Sequence, residues 1–394
     1  MTTALPQLPF PRDDVLDVAP LFGELREQAP LLPVRTPAGD VAWLVTRYAE
    51  ARALFADPRL GRSHPDPDNA PRISGAAVLG GPMGNAETEA SDAAMLRRLL
   101  TPAFSPRRMA RLRAHVAELV AELLDGLAEQ GPPADLHEAL SFPLPVLVIC
   151  ELLGVPFADR ERFRGWSRSL GDLTDRQGSE QALGALVGYM TGLVAEKRTN
   201  PAEDVLSDLV TAGGGLLTDD QAALIGTFVL FAGHETTVAR IDIGALLLAA
   251  HPEQAEALRR DPGLAPRAVE EILRVAAPAG VGIPRYASAD VEIAGVTIRR
   301  GDAVLLTASA ANRDPDVFPD PESFRIDREP RQHLAFGHGP HFCIGAGLAR
   351  VELQEVFTAL PARFPRLRPT VPVAELQVRD DLLTGGLVEL PVTW

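Results

Sequence analysis

Phe336-Gly337-His338-Gly339-Pro340-His341-Phe342-Cys343-Ile344-Gly345 is the stretch on which the reading of this chain turns. Its cysteine stands just ahead of a predicted helix, about Ile344 to Arg363, where unpaired backbone N–H groups and the helix dipole favour a thiolate. Gly337, Gly339, Gly345 and Gly347 keep side chains out of the way of a large flat ligand. A thiolate held in a dry loop suits iron and pushes electron density toward cleavage of an O–O bond. Two other readings compete. A lone cysteine at a helix start is commonly a small buried hydrophobe. His333, His338, His341 and Cys343 could also be taken for a zinc site, although they lack the paired Cys or His spacings of zinc.

Working upstream, Thr218–Ala250 is the longest helix candidate. Thr218 is a good N-cap, and Gln221 follows three residues later as in a capping box. The segment is apolar nearly all round, so it should run through the middle of the protein. Within it lies Phe231-Ala232-Gly233-His234-Glu235-Thr236-Thr237. A carboxylate and a hydroxyl in such a helix are costly unless they are used. Ala232 and Gly233 are small enough for a planar ligand and a diatomic molecule to approach the backbone, and a mid-helix threonine can bond back to a carbonyl. A buried capping or packing pair is the alternative. Cys150, in an apolar helical run, reads as core.

Helical periodicity also marks Ser91–Leu100, Pro106–Gln130, Leu136–Leu153, Ala158–Leu170, Gln181–Lys197 and Pro266–Ala276. Strands are expected at Leu31–Arg35 and Val41–Thr46, joined by Pro37-Ala38-Gly39-Asp40, and at Ile283–Tyr286, Val291–Ile293, Val296–Ile298, Ala303–Leu306 and Leu387–Val392. Gly61–Gly84 lacks periodicity and reads either as a substrate-facing loop or as surface disorder. Asn312–Asp327 is a Pro/Asp-rich irregular segment. The fold class is therefore mainly α with a small β-rich lobe. No linker or internal repeat divides residues 1–394, which read as one domain.

With 394 residues and 46% hydrophobic residues the chain can build a large core. A net charge of −15 argues against a general nucleic-acid binder, which needs a basic face to displace counterions. Two cysteines cannot frame a chain this long with disulfides, which suits a reducing cytosol. The N-terminal residues show no signal-peptide apolar stretch, and no membrane anchor is expected. Arg107, Arg108, Arg111 and Arg113 form a local basic cluster, either a solvated helix face or a docking patch for an acidic electron donor.

Together these segments resemble the cytochrome P450 family. The cysteine stretch fills every fixed position of that family's haem-binding signature, Phe-Gly-x-Gly-x-x-x-Cys-x-Gly, and the mid-helix segment resembles its oxygen-binding motif, Ala-Gly-x-Glu/Asp-Thr. Glu271-Ile272-Leu273-Arg274 matches the family's Glu-x-x-Arg. That pattern recurs at Glu161/Arg164, Glu256/Arg259 and Glu322/Arg325, so it informs only by its place between the other motifs. Asn312-Arg313-Asp314-Pro315 follows in family order. The resemblance covers essentially the whole chain and implies the cytochrome P450 fold, with haem b between the long central helix and the cysteine-ligand helix.

The resemblance further implies that Cys343 binds the iron, with Phe336, Gly345, Ala232 and Gly233 around the cofactor. Thr236 and Glu235 would act in oxygen binding and proton relay. Arg97, Arg285 and His341 occupy positions where the family holds the haem propionates. Many bacterial relatives carry a histidine four residues before the first of these arginines, where this chain has Ala93. Glu271 and Arg274 would brace the cysteine loop, with Arg325 a candidate third partner.

The implied activity is monooxygenation, hydroxylation or epoxidation of an apolar or amphipathic small molecule with dioxygen, in secondary metabolism. Substrate contacts would come from Gly61–Gly84, Phe231, Ala232, Val281–Ile283 and Leu383-Thr384-Gly385. Because the chain ends soon after the haem region, a separate ferredoxin or flavodoxin is expected to dock near Arg107, Arg108 and Arg111 in the cytoplasm. Oxidative carbon–carbon or carbon–nitrogen coupling and a non-catalytic haem-binding module are the alternative readings.

Overall fold

The structure, a computed structural model, describes residues 4–211, 217–278 and 280–394. Its helices are arranged around one that is largely buried, Asp219–Ala250. This central helix begins where the sequence provides a start. The Gln221 N–H donates to the Thr218 hydroxyl at 3.2 Å, and the Thr218 N–H donates to the Gln221 side chain at 3.0 Å. Two of the N–H groups that any helix start leaves unpaired are thereby satisfied. The helix is long and apolar enough to cross a membrane. Here its surface is covered by the helices Pro143–Leu153, Arg176–Thr199 and Ala346–Arg363, which makes it a core helix.

Glycines set how closely the helices approach. A Cβ on Gly244 would stand 2.2 Å from the ring of Phe357, which lies on the cysteine helix Ala346–Arg363. A methyl group there would force the two helices apart, an overpacking cost of roughly 1–3 kcal/mol.

The β-rich lobe is a five-stranded sheet. Strands β1 (Leu31–Arg35), β2 (Val41–Val45), β3 (Leu60–Gly61), β4 (Ile283–Ala287) and β5 (Ala303–Leu306) lie in the order β1-β2-β5-β4-β3. The expected hairpin pairs Leu31 with Val45 through Arg35 with Val41, and Gly39 turns the chain at φ +93°. β5 pairs parallel to β2 and antiparallel to β4, which places Arg285 opposite Val304. The expected strands Val291–Ile293 and Val296–Ile298 pair with each other as a separate antiparallel hairpin.

Several boundaries depart from the sequence reading. Leu136–Leu153 is not one helix: a π-helical turn at His137–Ser141 precedes the helix Pro143–Leu153. Pro143, which lacks an N–H, stands at the start of that helix, where the missing donor costs little. The closing strand shortens to Pro391–Thr393. Helices at Pro20–Gln28, Tyr48–Ala56, Val205–Thr211 and Pro252–Arg260 were not expected. Each is nine residues or fewer, too short for periodicity to stand out. Gly61–Gly84 is irregular but tied down. Ser63, His64, Ile73, Ser74, Ala76 and Val78 are buried, and the Tyr286 hydroxyl donates to Pro71 O at 2.9 Å. Cys150 is buried in the core as expected, and burial pushes its thiol up to about 12.

Candidate active site

The cysteine loop is fixed from several sides before any ligand is considered. The Leu334 N–H donates to the Asn312 side chain at 2.7 Å, and the Cys343 N–H donates to Phe336 O at 2.9 Å. Gly337 and Gly339 take left-handed backbone angles, φ +69° and +72°. A Cβ on Gly339 would lie 2.7 Å from the Ala56 Cα, so only glycine lets the loop seat on the helix Tyr48–Ala56. On the other side, Arg350 stacks over the Phe336 ring at 4.7 Å and binds Glu270 at 2.7 and 2.9 Å. Arg350 and His333 hold the Glu270 carboxyl down at about 2 against its burial.

Cys343 is reachable by solvent yet hemmed in by protein on most sides. The N–H groups of Gly345 and Ala346, at the start of the cysteine helix, turn toward its sulfur. Burial nonetheless pushes the thiol up, against the pull of those N–H groups, Arg350 and Arg97. The helix start favours the thiolate as expected, but burial outweighs it. A metal ion bound to this sulfur would deprotonate it outright.

The central helix leaves one stripe open beside its buried faces. Ala232 and Thr236 are exposed while most of their neighbours are buried. The Thr236 hydroxyl donates to Ala232 O at 3.1 Å, the backward bond expected of a mid-helix threonine. Glu235 is mostly buried, with His234 Nε2 at 3.5 Å, a charge contact too long for a good hydrogen bond. Burial favours its protonation, but the neighbouring His234, Arg379 and His137 outweigh this and hold the carboxyl below its ordinary value. A Cβ on Gly233 would meet Ile149 Cδ1 at 2.7 Å, so its missing side chain also lets the central helix pack against Pro143–Leu153. Phe231 is buried in the main core, whereas Ile283 is 37% exposed.

The expected cations gather beside the loop. Arg97 Nη2 donates to Phe342 O at 2.5 Å and Pro340 O at 3.1 Å. Arg285 is buried; its Nη1 donates to Pro284 O at 2.8 Å and its Nε has no partner among the described residues. Burial and the nearby Arg62 lower its pKa to about 10. His341 falls to about 4 through burial and the fields of Arg285 and Arg62. Arg62 and Glu89 belong to this cluster, and no motif pointed to them. The arrangement fits a haem: a sulfur donor beside a helix start, and an orphaned buried N–H among cations suited to two carboxylates.

The Glu-x-x-Arg pair is a buried network. Arg274 binds Glu271 twice at 2.8 Å and donates to the carbonyls of Asn312, Pro321 and Ser323. The third partner is Arg328, whose Nε meets Glu271 at 3.0 Å. Arg325 offers only its backbone N–H to Glu271, while its side chain turns to Asp327. Asn312, Arg313 and Asp314 are all buried and bind three separate parts of the chain. Farther along the central helix, buried Asp242 accepts His137 Nδ1 at 2.8 Å, and Arg379 lies within electrostatic reach of both Asp242 and Glu235. A cavity of about 320 Å³ near Ala249, Pro252 and Phe364 lies at the far end of that helix and contains none of these groups.

Comparison with known proteins agrees with this geometry. The family model described as cytochrome P450 matches residues 264–372. Pentalenolactone synthase from Streptomyces exfoliatus is 46% identical over 99% of both chains. Mycinamicin IV hydroxylase/epoxidase from Micromonospora griseorubida is 42% identical over 100% of both. Among solved structures, the putative thioether synthase SgvP, involved in the tailoring step of griseoviridin, superposes with a TM-score of 0.92 at 40% identity over 100% of both chains.

Proposed function

The chain belongs to the cytochrome P450 family and is a haem monooxygenase, and on that premise we propose that it hydroxylates or epoxidises an apolar or amphipathic natural-product scaffold. The observation that carries this reading is Thr236 on the open stripe of an otherwise buried helix that packs on the cysteine helix, with the mostly buried Glu235 beside it. We read residues 1–394 as one domain, with haem b held through Cys343 as iron ligand. Arg97, Arg285 and His341 would face its carboxylates, with Phe336, Gly345 and Ala232 alongside. When bound, the haem supplies the activation of dioxygen by two electrons and protons.

The protein's part is positioning and proton handling. Glu235, kept anionic by His234 and Arg379, can accept and release a proton next to Thr236. The Thr236 hydroxyl, in its backward bond to Ala232 O, can turn from that carbonyl toward a ligand. Electrons would come from a separate ferredoxin or flavodoxin docking at the exposed Arg107 and Arg111, in the cytoplasm. Thr236→Ala tests the reading: substrate still binds, but reducing equivalents run to hydrogen peroxide instead of product. Full coupling in that variant overturns the role given to Thr236.

The likeness to a putative thioether synthase favours one second reading, oxidative bond formation without oxygen insertion. Labelled dioxygen separates the two: monooxygenation carries one labelled atom into the product, and coupling carries none.

A further inference from the structure

The helix Glu89–Leu100 presents Glu89, Ala93 and Arg97 at spacings of four, so the three share one face toward the cysteine loop. Arg97 reaches the carbonyls of Pro340 and Phe342. Ala93, between the other two, has no reach at all. Glu89 turns to the segment after β3: its carboxylate accepts from the Arg62 N–H at 2.6 Å, the Ser63 N–H at 3.0 Å and the Ser63 hydroxyl. It also lies 3.8 Å from His341 Nε2. This clamp depends on Gly61, because a Cβ there would fall 2.2 Å from the Glu89 carboxylate.

Thus the backbone of residue 62 is pinned beside the loop while its side chain is left for other work. Among the described residues the Arg62 guanidinium makes no hydrogen bond, and it stands within electrostatic reach of Arg285, Glu89, His341 and Cys343. A guanidinium placed among other guanidiniums, with one carboxylate beside them, needs an anion. Arg62, Arg97 and Arg285 against Glu89 leave two net positive charges, matching a ligand with two carboxylates. Without Arg62 the balance falls one short.

We infer that Arg62 binds a carboxylate of the haem, filling from the segment after β3 the gap that Ala93 leaves on the helix. Glu89 and Gly61 are the positioning residues that aim it. The inference rests on the haem-binding reading of the site and adds a contact to it.

The test measures haem loss from the reconstituted holoprotein to excess apomyoglobin, alongside the same transfer with haem dimethyl ester, whose carboxylates carry no charge. Arg62→Gln speeds loss of haem by roughly tenfold or more, the scale of one charge-assisted hydrogen bond. Arg62→Lys loses less, and adding Ala93→His to Arg62→Gln recovers part of the loss. With the dimethyl ester, wild type and Arg62→Gln release the ligand at the same rate, which a merely structural role for Arg62 would not produce. Equal haem loss from wild type and Arg62→Gln, or an equal gap with haem and its ester, overturns the inference and leaves the site standing. A wild-type protein that takes up no haem overturns the site reading itself.

Discussion

Glu271→Gln is the perturbation whose cost can be worked most fully from the structure. The side chains of Glu271 and Arg274 are 4% and 2% exposed, and that of Arg328 is 11% exposed. One carboxylate therefore compensates two desolvated guanidiniums. The substitution keeps the shape and one acceptor oxygen but removes the charge, so both arginines remain buried and uncompensated. Breaking a buried pair in this way costs about 3–5 kcal/mol, a large part of the roughly 5–15 kcal/mol that stabilises a typical protein.

Replacing the pair by apolar residues would not recover the loss. Arg274 also satisfies the carbonyls of Asn312, Pro321 and Ser323, and a buried orphaned group costs about 1–3 kcal/mol. The damage should reach the cysteine loop, because Asn312 lies under Arg274 and its side chain holds Leu334. Urea unfolding followed by circular dichroism should show a lower midpoint at unchanged slope, together with a smaller share of thiolate-ligated haem at equal protein. A midpoint shift worth less than about 1 kcal/mol, with full haem ligation, would refute the reasoning.

Two further outcomes are expected. Arg108 and Arg113 are already engaged by Asp208 and Glu355, whereas Arg107 and Arg111 are exposed and form no ion pair among the described residues. Reversing the charge of Arg107 and Arg111 should slow the first electron transfer and weaken its dependence on salt, and an unchanged rate removes the docking role. Glu352 is wholly buried on the cysteine helix, neither carboxylate oxygen has a partner among the described residues, and burial raises its pKa from 4.5 to about 8. The folded state holds this proton more tightly than the unfolded chain, so stability falls as pH rises from about 4.5 to about 8. Glu352→Gln should abolish that slope and add on the order of 3 kcal/mol at pH 7; parallel stability curves for variant and wild type would contradict it.

What the sequence disclosed is what short-range chemistry encodes. The capping box at Thr218 and Gln221, the turn at Gly39 and the glycines of the cysteine loop each impose a local geometry, and each appears in the structure. Thr236 likewise makes its backward bond. What stayed hidden was decided by distant partners. Ile149 lies against Gly233, and nothing near position 233 announces that neighbour. Arg328 rather than Arg325 reaches Glu271 with its side chain, because the distant carbonyls of Pro319, Asp320 and Ser323 seat its guanidinium there. Arg62 and Glu89 come together across 27 positions through a glycine whose role is visible only in three dimensions. The helix start draws the Cys343 thiol toward the thiolate, as its place in the sequence indicates, but burial, a property of the whole fold, acts the other way.

The central claim is that Cys343 ligates haem iron as a thiolate, and the absorption spectrum of the reduced carbonyl complex tests it most directly. Wild-type protein should show the red-shifted band of a thiolate-ligated haem, and Cys343→His should bind haem without that band. A wild-type spectrum lacking it, or a variant that retains it, would contradict the account.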